Sequence, residues 1–193
     1  YLKKHYPEVH AYYAKRLAQV VVPNHKKLLE LFRRNRLKVV YLRIGPLLAD
    51  RSDLTPLRKQ RETGAAQQRP AYLSPAGTFE HQILEEIAPR EGELIIDKNS
   101  SGAFNSTAID QILRNMQVDC LVVTGVVTWA CVLLTALDAA DKGYKCVLVE
   151  DAVAALDEEM HNAALRIFYA AYGRVETTDA VCVELEKRLS VAV

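Results

Sequence analysis

The run Asp119-Cys120-Leu121-Val122-Val123-Thr124-Gly125-Val126-Val127-Thr128-Trp129-Ala130-Cys131 decides the fold. Asp119 to Thr124 reads as a strand with little polar alternation, the pattern of a strand covered on both faces. Gly125-Val126-Val127-Thr128 reads as a tight turn. Cys131 then opens an apolar helix that runs to about Lys142. A thiol in the first turn of a helix meets unpaired backbone N–H groups and the positive end of the helix dipole. Both favour thiolate, the form that attacks carbon. A strand that delivers a reactive group to the head of a helix is how an open α/β sheet presents a nucleophile.

Working outward, Lys145 to Val149 is a second continuous apolar strand, followed by Glu150 and Asp151. A helix is expected over about 157–172, closed by Gly173 as a left-handed cap. Thr178 to Val183 reads as a last strand before a terminal helix. Upstream, a helix is expected over 6–21, starting near Pro7. Val20 to Asn24 reads as an extended entry with Asn24 capping a helix over 25–36. Lys38 to Ile44 and Gly92 to Asp97 read as strands, and Glu80 to Ile87 as a short helical segment. A helix capped by Asn105 or Ser106 runs to about Met116. The polar, proline-bearing stretch from Gly45 to Pro75 is long for a compact domain, and reads as a cover over a site or an oligomer contact, with a tolerated surface insertion as the alternative. Alternating strands and helices predict an α/β fold, a doubly wound, mostly parallel sheet with helices on both faces.

At 193 residues the chain fits one domain, 1–193. A net charge of +1 gives no electrostatic case for nucleic acid or an anionic membrane. The basic run at Lys26, Lys27, Arg33, Arg34 and Arg36 reads as a solvated helix face. No apolar run reaches the roughly 20 residues that span a bilayer. Three of the four cysteines (Cys120, Cys146 and Cys182) lie in apolar strand-like runs and read as small buried hydrophobes. Nothing resembles a zinc or disulfide framework, so a reducing, cytoplasmic compartment is expected.

Four blocks then carry a resemblance: Asp97-Lys98-Asn99-Ser100-Ser101-Gly102-Ala103-Phe104-Asn105-Ser106-Thr107, Thr124 to Val132, Asp138-Ala139-Ala140-Asp141-Lys142-Gly143-Tyr144, and Val149-Glu150-Asp151-Ala152. Together they resemble the isochorismatase-like superfamily of cysteine hydrolases, from about Val22 to Val183. The resemblance implies a Rossmann-type three-layer fold and a Cys, Lys and Asp triad. Cys131 matches the nucleophile and Lys98 the lysine. It also implies a non-proline cis peptide at Val127–Thr128, with the backbone N–H groups of Thr128 and Cys131 forming an oxyanion hole. Trp129 and Phe104 are the expected substrate contacts. No cofactor is implied, and the partners are a small-molecule substrate and a second or further copies of the chain, as homodimer or homotetramer.

Three departures from the family pattern stand out. The family's aspartate lies on its first strand, and nothing before Asp50 matches it. Since the chain begins at Tyr1, that strand and its aspartate are expected upstream of residue 1; an inactive relative serving as a binding or assembly module is the alternative. Trp129 stands where a smaller or polar residue is usual. Nicotinamidases carry an Asp-x-His…His metal motif after the second strand, whereas this chain reads Ile44-Gly45-Pro46-Leu47-Leu48-Ala49-Asp50, so no metal and no nicotinamidase activity are expected. Vinyl ether hydrolysis of isochorismate does not need the cysteine. Cys131 therefore points to hydrolysis of a C–N bond in a small amide, ureide or carbamoyl compound, with ether hydrolysis as the alternative.

Overall fold

Five strands and eight α-helices organise the protein in the computed structural model, which describes residues 2–63 and 73–191. Helices α1 (Leu2–His5), α2 (Pro7–Arg16) and α3 (Val22–Arg34) precede β1 (Val40–Ile44), and α4 (Pro56–Thr63) follows it. Then come β2 (Leu94–Lys98), α5 (Ile109–Asn115), β3 (Cys120–Val126), α6 (Leu133–Asp141), β4 (Lys145–Ala154), α7 (Glu158–Ala171), β5 (Arg174–Glu176) and α8 (Thr178–Val191). Every strand pair among the described residues is parallel. The strands form two groups, β1–β2 and β3–β4–β5, rather than one continuous ladder. Part of the long 45–75 stretch, residues 64–72, lies outside the described residues.

β4 shows why the fold has three layers. Its side chains alternate between faces. Cys146 and Leu148 join Ala136, Ala139, Leu165 and Phe168 of α6 and α7 on one side. Val147 and Val149 join Leu28 and Leu31 of α3 and Val181 and Cys182 of α8 on the other. A strand buried on both faces must be apolar throughout, which is how its sequence reads. Between Val123↔Leu148 and Gly125↔Val153 the β3–β4 register shifts, so β4 runs past Glu150 and Asp151 to Ala154 rather than stopping at Val149. Side chains from the N-terminal helices satisfy the carbonyls of that irregular end. Arg16 reaches Glu150 and Val153, Asn24 reaches Asp151, and His25 bonds Ala152.

Four local expectations are corrected. First, α2 and α3 are joined by a π-turn, Leu17–Val21, in place of an extended entry. The Val22 N–H bonds Leu17 O, five residues back, and this wider spacing admits Pro23, which has no N–H, near the start of α3. Asn24 is therefore inside the helix and does not cap it. Second, α5 starts at Ile109, whose N–H meets Thr107 Oγ1, so neither Asn105 nor Ser106 caps it. Third, residues 178–183 are helix, not strand. Asp151 Oδ1 accepts both the N–H and the hydroxyl of Thr178 at 2.8 and 2.7 Å, fixing a helix start that a short apolar run could not signal. Fourth, Gly173 has no left-handed φ; a Cβ there would stand 2.4 Å from Cys146 O and 2.7 Å from the Phe168 ring. Close approach, not turn geometry, requires it.

Candidate active site

Strand β2 ends on Lys98, and the turn after β3 carries Cys131, so both approach the carboxyl ends of parallel strands. Lys98 is only 2% exposed. Its Nζ donates to Ser100 O at 2.8 Å, to Ser101 O at 2.7 Å and to Cys131 Sγ at 3.4 Å. Three acceptors match the three protons of an ammonium. Burial pulls the Lys98 pKa below the ordinary lysine value; Cys131 opposes that shift and Arg58 adds to it. Cys131 as a residue is half-buried. No carboxylate among the described residues hydrogen-bonds Lys98 or Cys131.

Cys131 lies inside a π-turn, Thr128–Val132, that leads into α6. Ala130 N–H and Val132 N–H both bond Val127 O, at 3.0 and 3.4 Å. The cis peptide is Val126–Val127, one bond earlier than Val127–Thr128. The reason is where the strand stops: β3 extends to Val126, so the reversal falls at its last residue and Thr128 is already in the helical turn. Thr128 is fully buried. Trp129, next to it, is 40% exposed and is no part of the core. Phe104 is not brought to the sulfur. Its ring packs on Tyr144 at 5.9 Å with Lys142 Nζ over it, beside the start of β4 and hence at the opposite end of the sheet. Among the described residues no cluster of three His, Cys, Asp or Glu side chains could hold a metal ion.

Sequence reasoning missed several groups around this pair. Tyr13, on α2, has its pKa pushed up to about 12 by burial and, secondarily, by the charge of Cys131, which brings the N-terminal helix into the electrostatic range of the sulfur. Arg58 Nη2 donates to Ser101 Oγ at 2.7 Å. A buried relay reaches Thr128: Arg16 Nη2 meets His161 Nε2 at 3.0 Å, and His161 Nδ1 meets Thr128 Oγ1 at 3.0 Å. A guanidinium only donates, so Nε2 accepts and Nδ1 carries the proton that Thr128 receives. Burial, with the Arg16 charge, pushes the His161 pKa down to about 4. The only sequence trace of the relay is the polar His161 on the apolar face of α7, beside Ala164, Leu165 and Phe168.

Comparison with known proteins agrees with this geometry. The isochorismatase domain model matches residues 9–180. The isochorismatase family protein YwoC of Bacillus subtilis is 29% identical over 160 residues, 82% of this chain and 80% of that protein. The N-carbamoylsarcosine amidase of an Arthrobacter species is 32% identical over 112 residues, 58% of this chain and 42% of that protein. The crystal structure of an isochorismatase family protein from Desulfovibrio vulgaris superposes with a TM-score of 0.76 at 27% identity, covering 86% of this chain and 84% of that one. With the α/β architecture and the juxtaposed lysine and cysteine, these matches establish that the chain belongs to the isochorismatase family of hydrolases.

Proposed function

We propose that this hydrolase cleaves the C–N bond of a small amide, ureide or carbamoyl compound through a covalent thioester on Cys131. The Lys98–Cys131 contact carries the reading: a buried ammonium 3.4 Å from the sulfur of a half-buried cysteine is the partner a thiolate needs. The thiolate attacks the carbonyl carbon. The resulting oxyanion is met by first-turn backbone N–H groups, Thr128 and Cys131 foremost. Collapse breaks the C–N bond, the nitrogen leaves protonated as ammonia or an amine, and water hydrolyses the thioester to the acid. A general base takes the thiol proton and returns it to the leaving nitrogen. The similarity to an N-carbamoylsarcosine amidase supports C–N over C–O cleavage.

The test is to incubate the protein with N-carbamoylsarcosine and a panel of small amides and ureides. Ammonia release together with a mass increment on the Cys131 peptide is the expected result. Release of pyruvate from isochorismate, with no adduct and no ammonia from any amide, would overturn it.

A further inference from the structure

Arg58 is the cation in this region that the scheme above leaves without a task. It sits on α4, and its Nη2 donates to Ser101 Oγ at 2.7 Å. The carbonyl of the same Ser101 accepts from Lys98 Nζ at 2.7 Å, and that Nζ touches Cys131 Sγ. One serine therefore separates the guanidinium from the lysine and sulfur. The other terminal nitrogen, Nη1, is shielded from solvent and has no hydrogen-bond partner among the described residues. An orphaned donor on a charged group is costly, about 1–3 kcal/mol or more, and native structures rarely keep one without a use.

Several other arginines have a carboxylate partner. Arg33 pairs with Glu93, Arg43 with Asp97, Arg114 with Asp110, and Arg174 and Arg188 with Glu184. Among the described residues Arg58 has no such carboxylate. Burial does most to depress the Lys98 ammonium, and the Arg58 charge adds a smaller push in the same direction. A buried ammonium and a half-buried guanidinium, with no carboxylate bonded to either among the described residues, form a site that gains a negative charge favourably.

We propose that Arg58 Nη1 is the carboxylate-binding donor of this active site, so that the preferred substrates are acid-amides or ureido acids with a carboxylate a few bonds from the scissile carbonyl. This rests on the cysteine-hydrolase reading of Cys131. Nη2 is committed to Ser101, which leaves one face of the guanidinium for one carboxylate, and Ser101 holds that face at a fixed offset from the nucleophile.

The test uses the full chain and two alkylating reagents, iodoacetate and iodoacetamide. Each forms the same S–C bond at Cys131 with loss of iodide, and they differ by the carboxylate. Taking the ratio of their rates cancels any change in the thiolate fraction. Peptide mapping follows Cys131 separately from the other cysteines. Arg58→Gln is expected to lower the iodoacetate to iodoacetamide ratio about tenfold or more, the effect of one charge-assisted hydrogen bond. Arg58→Lys, which keeps the charge, should stay within about threefold of the starting protein. Succinate should slow iodoacetamide labelling of the unaltered protein more than chloride at equal ionic strength, a readout that needs no variant to fold. An unchanged ratio in a folded Arg58→Gln protein, or no protection by succinate, would overturn the carboxylate site alone. If neither reagent labels Cys131 in the unaltered protein, the cysteine-hydrolase reading and this inference fall together.

Discussion

Strands β4 and β1 are both parallel and mostly apolar, yet they live in different surroundings. In β4, Leu148, Val149, Val153 and Ala154 are fully buried, with neighbours on both edges and helices on both faces. In β1 every residue is half-buried, and Ile95 of its partner β2 is 40% exposed. Polar ties do more of the holding there. Arg43 grips Asp97 across the ladder at 2.7 and 2.9 Å, Arg33 grips Glu93 at 2.7 and 2.8 Å, and the Tyr41 hydroxyl donates to Ile87 O. The site draws one member from each region: Lys98 ends β2, in the less buried pair, and Cys131 follows β3, in the better buried group. What the difference teaches is that the Lys98–Cys131 contact joins two regions with no backbone ladder between them, so it depends on helix packing and on the Ser100–Ser101 turn.

The sharpest way to break the comparison is at the contact itself. Cys131→Ala should lower amide turnover by about 10⁴-fold or more while leaving the melting temperature nearly unchanged, because the nucleophile is lost and the half-buried site loses little packing. Lys98→Met should cost about 10²- to 10³-fold in kcat, since the tetrahedral adduct and thiolate lose their cation; steady-state kinetics on the substrate found above would measure it. Next comes packing. Leu148→Ala should destabilise the protein by about 3 kcal/mol, and Leu42→Ala in β1 by about 1 kcal/mol, read from urea unfolding of the two variants side by side. Equal losses would mean that the two regions are equally well packed.

A smaller effect than the Leu148 loss is expected from His161. Burial keeps it neutral in the fold, with a pKa of about 4 against an ordinary value of 6.5. Between those two values the unfolded chain binds more protons than the folded one, so stability falls as pH falls through that window. His161→Asn keeps a donor toward Thr128 and removes the titration. From pH 7 to pH 4.5 the unaltered protein should lose about 2 kcal/mol more than this variant in urea titrations. His25 and His81 are shifted the same way but are common to both proteins and cancel.

Much of this was legible beforehand. The apolar runs at 119–124 and 145–149 marked β3 and β4 because strands covered on both faces cannot be polar. The Lys98 and Cys131 blocks are singled out by their resemblance to the family, and the structure places the two side chains in contact. The errors fell where a distant partner decides. Residues 178–183 satisfy strand and helix periods alike until Asp151 caps Thr178. Pro23 reads as a helix breaker until a π-turn accommodates it. Phe104 lies in the same block as Lys98, but its ring turns toward Tyr144. Arg58 and Tyr13 carry no local signal, because a charged or aromatic residue on a helix looks the same whether it meets water or the Cys131 region, and His161 shows only as a polar residue on the apolar face of α7.

By itself, then, the sequence determined the layered α/β architecture, since hydrophobic period is a local property of the chain, and its resemblance to a family singled out Cys131 and Lys98 as the pair to look for. The tertiary structure alone decided that Lys98 Nζ stands 3.4 Å from Cys131 Sγ, that the cis bond is Val126–Val127, and that Arg58 Nη1 is shielded with no partner among the described residues. Those are matters of contact between segments tens of residues apart, and only packing brings such segments together.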